Sequence, residues 1–168
     1  MFENIENLNK TASIAVSAFG VEGNAVFVQI SENATYFICQ NNKPKYTLRI
    51  CRPNYHTFEE LESEIQWLLN IDNVNICKPI SKNGEYVKKI NGCYCTMYKY
   101  IDGMADIEIE GNENLYIEIG RIAGLLHKNT IEKPFKAVRP KWSMENLIGK
   151  NGLWGDWRKT TVLNSQQK

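Results

Sequence analysis

The stretch KYTLRICRPNYHTFEELESEIQWLL, residues 45–69, joins a predicted strand to the most clearly marked helix of the sequence. Residues 45–51 predict the strand, which follows a turn at 41–44. Thr57 and Glu60 form a capping box, in which the threonine hydroxyl accepts from the backbone N–H three residues on and the glutamate reaches back. Four apolar residues follow at spacings of 3, 4 and 3, the period of one helix face: Phe58, Leu61, Ile65 and Leu68. We expect this helix to pack against a sheet.

The segments on both sides predict short antiparallel strands. Upstream, a small apolar run at 11–19 that ends in a glycine predicts a short helix. The remaining strands are predicted at 25–30, 36–39, 76–80, 85–90 and 92–100, with hairpin turns at Asn83-Gly84 and Asn91-Gly92. A second amphipathic helix, ending near His127, is indicated by Leu115, Ile119, Ile122 and Leu126. This order predicts an α+β fold, a five-stranded antiparallel sheet with one packed helix at 58–69.

The composition excludes several classes of function. The 168 residues carry 20 Lys and Arg against 19 Asp and Glu, a net charge of +1, so no overall field favours nucleic acid or an anionic membrane. The charge-free apolar run at 11–21 is far shorter than the roughly 20 residues that span a bilayer. Five cysteines without a CxxC pair indicate reduced thiols and a cytoplasmic protein. Cys93 and Cys95 alternate along a strand, which favours core cysteines over a zinc site.

Seven short motifs follow one another in order between residues 10 and 158. They are ENATY (32–36), YTLRICRP (46–53), ESEIQWL (62–68), NG (83–84), YIDG (100–103), LLH (125–127) and LWGDWR (153–158). In order and spacing they resemble the aminoglycoside phosphotransferase family of small-molecule kinases, which also contains choline, homoserine and hydroxylysine kinase relatives. The resemblance implies a protein-kinase-like N-terminal lobe at 1–101 that binds nucleotide. Residues 102–168 would then be a linker, a helix and the truncated beginning of a helical C-terminal lobe.

The resemblance places phosphate-binding groups on the first three strands. The turn between the first two strands, with Ser31, Asn33 and Thr35, occupies the position of the nucleotide loop; it contains no GxGxxG, so hydroxyls and backbone N–H groups would serve as donors. Arg49 stands where most kinases have a lysine, and Glu64 on the capped helix is its expected ion-pair partner. The alternatives are a plain hairpin turn, a strand-edge cation and a solvated helix acid.

The resemblance places the adenine at the linker. The Lys99 C=O would accept and the Ile101 N–H would donate to the base, with Tyr98 at the back of the pocket. A purely structural strand end is the alternative. His127 matches the family's Leu-x-x-Leu-His helix end, not a catalytic loop, and His56 is expected to be a surface residue.

The catalytic groups of the family are absent from the sequence. No His-x-Asp and no Asp-x-Asp follow His127, so we assign no catalytic or metal-binding residue and expect the chain to be inactive alone. The complete enzyme would use ATP or GTP with magnesium. Trp142, Trp154 and Trp157 crowd the final stretch, and we expect residues 140–158 to bury them against the 115–126 helix or in a homodimer.

Three hypotheses follow for the function. The first is the nucleotide-binding lobe of a phosphotransferase for a small alcohol or aminoglycoside. The second is a non-catalytic interaction or dimerisation module that reuses this lobe. The third is an unrelated α+β binding domain. None of the three involves nucleic acid or a membrane.

Overall fold

The computed structural model describes residues 4–103, 113–164 and 166. These residues form two compact units, Met1–Ala137 and Val138–Lys168. The predicted lobe boundary after residue 101 is a different division of the chain and stays a prediction.

The described residues of the first unit contain three helices and six strands. In chain order they are α1 (Ile5–Ala18), β1 (Asn24–Ile30), β2 (Asn33–Gln40), β3 (Lys43–Cys51), α2 (Phe58–Leu69), β4 (Pro79–Ile80), β5 (Val87–Ile90), β6 (Cys93–Lys99) and α3 (Glu113–Glu132). The helix predicted at 58–69 is confirmed at both ends, and its capping box is formed. None of the described helices is long and apolar enough to cross a membrane.

Two helices are longer than the apolar pattern predicts. Helix α1 begins at Ile5 rather than at residue 11, because the Asn4 side chain caps it by accepting from the Asn7 N–H at 2.7 Å. The first turns of α1 are mostly exposed and polar, so the apolar pattern does not reveal them. Helix α3 continues past His127 to Glu132, where the Lys133 N–H still bonds back to the Asn129 C=O.

The strands form one antiparallel sheet in the order β1-β2-β3-β6-β4, and β5 also pairs with β6. The antiparallel α+β fold is confirmed, but the sheet has six strands instead of five, because each of the six predicted strand segments, including 76–80, contributes a strand. The turn at Asn41 and Asn42 has φ of 50° and 60°, which suits asparagine and matches the twist of a tight hairpin. Strand β1 ends the sheet and is interrupted by a bulge between Phe27 and Gln29.

The two faces of the sheet carry separate apolar clusters. On one face, α1 packs on a core that includes Leu8, Ala12, Phe19, Tyr36, Ile38, Leu48, Ile50, Cys95 and Met97. On the other face, α2 contributes Leu61 and Ile65 to a cluster with Cys51, Val87 and Tyr98. Helix α2 contacts β4 and β5, and the side chains of that face on β2 and β3, such as Thr35 and Thr47, are only half-buried.

The second unit contains one short helix and a 3₁₀ turn, α4 (Met144–Ile148) and Trp157–Lys159. The rings of Trp142 and Trp154 meet edge to face with centroids 5.9 Å apart. Their side chains are 74% and 53% exposed. Burial of these rings against the 115–126 helix or in a homodimer stays a prediction.

Candidate functional site

The candidate site is built around the ion pair of Arg49 and Glu64. Arg49 lies between the fully buried Leu48 and Ile50 on β3, and strand alternation directs its side chain to the face on which α2 packs. The capping box fixes the start of α2, and Leu61 and Ile65 anchor the helix, which brings Glu64 to the same face. Arg49 Nη2 lies 2.8 Å from Glu64 Oε1, with 24% and 20% of the two side chains exposed. The predicted ion pair is confirmed.

Two residues of β6, Thr96 and Tyr98, also contact the Arg49 guanidinium. Thr96 lies directly opposite Arg49 in the ladder, is fully buried, and accepts from Arg49 Nε at 3.2 Å. The Arg49 Cζ lies 5.5 Å from the centre of the Tyr98 ring, within the range of a cation–π contact. Three side chains from two elements therefore fix the orientation of one cation.

The surroundings keep Arg49 charged and Tyr98 neutral. Burial opposes the charge of Arg49, but the adjacent Tyr98 and Glu64 outweigh it, so the pKa of the guanidinium lies above its ordinary value. Burial raises the pKa of the Tyr98 hydroxyl, and Arg49 only partly opposes this rise. Burial likewise raises the pKa of the Cys51 thiol. The site thus presents a permanent cation beside one carboxylate.

The turn between β1 and β2 is shorter than predicted. Only Ser31 and Glu32 lie outside the strands, because Asn33 and Thr35 already belong to β2. Thr35 pairs directly with Arg49 across the ladder and faces the same side, whereas Ser31 lies at the exposed tip. The Asn33 Oδ1 is buried without a hydrogen-bond partner among the described residues. The structure therefore brings Thr35 to Arg49 and leaves a two-residue turn in place of a five-residue loop.

The end of β6 carries the residues predicted for adenine. Tyr98 is buried, as expected of a side chain at the back of a pocket, and Ile101 is 38% exposed just after the strand. The Lys99 N–H donates to Lys78 C=O at 2.8 Å, which ties the end of the strand to the segment before β4. The rings of Phe37 and Tyr100 meet edge to face with centroids 5.2 Å apart and form an apolar ledge beside the linker.

Three residues that contact the site or its turn were not predicted as site residues, and the exposure of His56 was predicted wrongly. Thr96 could have been found by pairing the predicted third and last strands in register. Arg52 lies in the motif YTLRICRP and Tyr55 follows it by two residues, but neither was predicted as a site residue; both bond to the β1–β2 turn. His56 is half-buried rather than a surface residue, because its Nδ1 lies 3.2 Å from Glu60 Oε2 in the first turn of α2.

Among the described residues, the surroundings of the site include two cavities and no group of metal ligands. Cavities of about 610 and 460 Å³ lie beside the start of α1 and beside the 52–60 segment, and neither is lined by Arg49 or Glu64. No group of three His, Cys, Asp or Glu in the described part of the chain could hold a metal ion. The cation on the Arg49 face suits an anionic group.

Comparisons with known proteins agree on the fold. No family model matches the chain. Amicoumacin kinase of Bacillus subtilis (strain 168) is 29% identical over 140 residues, which cover 78% of this chain and 41% of that protein. The chain therefore spans about two-fifths of the length of this relative.

Two solved structures are similar to this one. Amicoumacin kinase hAmiN in complex with AMP-PNP, Ca²⁺ and Ami has a TM-score of 0.62 at 21% identity, covering 83% of this chain and 42% of its own. Spectinomycin phosphotransferase APH(9)-Ia in complex with ADP and spectinomycin has a TM-score of 0.55 at 14% identity, covering 81% and 43%. The fold is thus that of a kinase-like phosphotransferase, and the hypothesis of an unrelated α+β domain is wrong.

Proposed function

We propose, from its confirmed resemblance to the aminoglycoside phosphotransferase-like small-molecule kinases, that this chain is the nucleotide-binding lobe of an ATP-dependent phosphotransferase. The observation that carries the proposal is the Arg49–Glu64 ion pair, held over Tyr98 on one face of the antiparallel sheet. A strand cation that is fixed by a helix carboxylate suits the binding of nucleotide phosphates.

The geometry suggests a division of labour among the site residues. Arg49 would bind phosphate oxygens through the guanidinium N–H groups that Glu64 and Thr96 do not use. Thr35, opposite Arg49, would add a hydroxyl donor, and Ser31 and Asn33 would line the turn beyond it. The nucleotide supplies the phosphoryl group, and the chain contributes its binding and orientation.

The base would lie at the end of β6. Lys99 C=O and Ile101 N–H would bond to its edge, and Tyr98 would close the back of the pocket. The Phe37–Tyr100 ledge offers an apolar surface for a planar ring beside these groups. Both ATP and GTP present such an edge and plane.

We further propose that the chain binds nucleotide without transferring phosphate by itself. The 168 residues contain no His-x-Asp and no Asp-x-Asp, so the groups that orient an acceptor hydroxyl would have to come from elsewhere. The names of the similar proteins contain amicoumacin and spectinomycin. A small alcohol or an aminoglycoside-type antibiotic is therefore the acceptor class we propose for the complete enzyme.

An ATP-dependent reaction and five free cysteines support a cytoplasmic site of action.

Titration calorimetry with AMP-PNP and MgCl₂ tests the nucleotide site. We expect saturable binding to the wild-type chain and at least about tenfold weaker binding to Arg49→Ala, since a charge-assisted contact is lost. Arg121→Ala is the matched control, because Arg121 lies exposed on α3 and pairs only locally with Glu118. Equal affinities of Arg49→Ala and wild type, or no binding at millimolar nucleotide, would contradict the proposal.

The exposed tryptophans favour a second candidate function, a dimerisation module. Trp142 and Trp154 present two large adjacent rings, and soluble monomers seldom leave such a surface uncovered. Light scattering on the purified chain tests this proposal, with Trp142→Ser as the variant. A dimer that dissociates in the variant supports the module, and a monodisperse wild-type monomer contradicts it.

A further inference from the structure

We propose that Arg52 and Tyr55 are positioning residues that hold the β1–β2 turn in the orientation that a phosphate group needs. The two side chains are called the strap below. The part of this inference that concerns phosphate rests on the proposed function, whereas the holding of the turn does not.

Arg52 fixes the backbone of the turn. It follows the last residue of β3, and its Nη2 donates to the Ser31 C=O at 3.2 Å. The C=O and N–H of a trans peptide point in opposite directions. With the Ser31 C=O directed to Arg52, the N–H of Glu32 in the same peptide unit is directed away from Arg52. The strap thus sets the direction of one backbone donor in the turn where the nucleotide loop is expected.

Tyr55 holds the carboxylate of Glu32, the acidic residue of the same turn. Its hydroxyl donates to Glu32 Oε1 at 2.9 Å. A carboxylate that is free to swing next to bound phosphates would repel them. Holding Glu32 by its carboxylate confines that charge to the side of the turn on which Tyr55 lies.

The two members of the strap also support one another. The Arg52 Cζ lies 5.2 Å from the centre of the Tyr55 ring, and the Tyr55 N–H donates to the Arg52 C=O at 3.3 Å. Asn54 between them has a φ of 59°, a left-handed conformation that asparagine tolerates well. The segment that joins the two residues of the strap is therefore a tight turn, closed by backbone and side-chain contacts.

Tyr55 is also linked by contacts to α2, the helix that carries Glu64. The Tyr55 ring packs edge to face on His56 with centroids 4.7 Å apart, and His56 contacts Glu60 in the first turn of α2. Glu64 lies one helical turn after Glu60. Contacts thus lead from the turn to the first turn of α2, the helix whose next turn carries Glu64.

Hydrogen exchange of the full chain, without and with AMP-PNP and MgCl₂, tests the strap. In Arg52→Ala we expect amides at 31–35 to exchange about tenfold faster without nucleotide, while α1 is unchanged, since one charge-assisted hydrogen bond to the turn is lost. Tyr55→Phe should give a smaller increase in the same segment, and Arg52→Lys should restore part of the protection. Arg121→Ala and Tyr116→Phe are the matched controls on α3.

The outcomes separate the two claims. Unchanged exchange at 31–35 in both Arg52→Ala and Tyr55→Phe overturns the strap, whether or not nucleotide binds. Faster exchange there with at least about fivefold weaker AMP-PNP binding supports the whole inference. Faster exchange with wild-type affinity overturns the phosphate part alone, and a wild-type chain that binds no nucleotide overturns the proposed function. If Arg52→Ala unfolds, the milder Arg52→Lys and Tyr55→Phe variants decide.

Discussion

At the scale of single residues, the site depends on side chains that satisfy one half-buried cation. Arg49 could be predicted from its sequence context, and so could Glu64, because a capping box fixes the register of α2. The contact from Thr96 follows from strand pairing, which local sequence specifies only once the turns are known. The contact from Arg52 to a backbone carbonyl of the turn had no sequence signal, since it depends on how two loops approach in space.

Glu64→Gln should lower the free energy of unfolding by about 1–3 kcal/mol. The amide keeps the shape of the side chain but removes the charge that balances Arg49, which is largely withdrawn from water. Urea unfolding followed by circular dichroism measures the change. Glu118→Gln is the control, since its partner Arg121 and Glu118 itself are exposed. A destabilisation no larger than that of the control would show that the pair contributes little to stability.

The raised pKa of Tyr98 predicts a loss of stability in alkaline solution. In the unfolded chain the hydroxyl loses its proton near pH 10, about the ordinary value, whereas in the folded chain it holds the proton to higher pH because it is buried. Above about pH 10 the unfolded state therefore binds fewer protons than the folded state. The contribution of the buried, protonated Tyr98 to the free energy of unfolding is fully present below about pH 10 and is lost as the pH rises further. Urea unfolding between about pH 8 and 11 should show a shallower decline for Tyr98→Phe. The exposed Tyr116→Phe should decline like the wild type.

At the scale of elements, strong local signals in the sequence were sufficient to predict the bounds of a helix or strand, and weak signals were not. Helix α2 begins and ends where its capping box and apolar spacing predict. Helix α1 begins earlier because an asparagine cap acts on a polar, exposed turn that carries no apolar stripe. The strand predicted at 76–80 is shortened to two residues, Pro79 and Ile80, as β4. Propensity and periodicity therefore predict which segments form elements better than they predict where an element begins and ends.

Helix α3 is held mainly by polar contacts, and these predict a local effect of one substitution. Asn129 is 3% exposed, and its side chain donates to Asn70 C=O and to Asp72 Oδ1, both at 3.2 Å. Asn129→Ala should cost about 1–3 kcal/mol, because the two hydrogen bonds donated by this buried side chain are lost. Hydrogen exchange should be faster in α3 while β3 stays protected.

The exposed His127→Ala on the same helix is the control and should leave exchange unchanged. Equal exchange in Asn129→Ala and in this control would mean that α3 is held by its other contacts. One of these is the hydrogen bond from Trp67 Nε1 to Thr130 Oγ1 at 3.0 Å.

At the scale of the whole molecule, the apolar surface of α3 shows how far local sequence patterns determine packing. Helix α3 leaves Leu115 and Ile119 37% and 53% exposed, although their spacing with Ile122 and Leu126 predicts a buried stripe. The chain spans about two-fifths of amicoumacin kinase. Sequence patterns show which residues are apolar, but what covers them is decided by packing beyond the local segment.

The purified chain should not transfer phosphate. With ATP, MgCl₂ and spectinomycin or a simple alcohol, we expect no ADP above the level of buffer, because the sequence contains no His-x-Asp and no Asp-x-Asp to orient an acceptor hydroxyl. A coupled ADP assay over a range of protein concentrations measures this. Turnover that rises with protein concentration and disappears in Arg49→Ala would contradict the prediction, since it would show catalysis by this chain.

The bulge in β1 has a consequence for how copies of the chain behave in concentrated solution. Among the described strands β1 stands at the end of the sheet, and its sequence, NAVFVQI, has no charge and no proline. Side chains of Val26, Phe27, Val28 and Ile30 are 38–48% exposed. Such an edge is a template for intermolecular strand addition and fibril growth. The irregularity between Phe27 and Gln29 interrupts the row of donors and acceptors that an incoming strand must match, and so protects the chain from amyloid-like assembly.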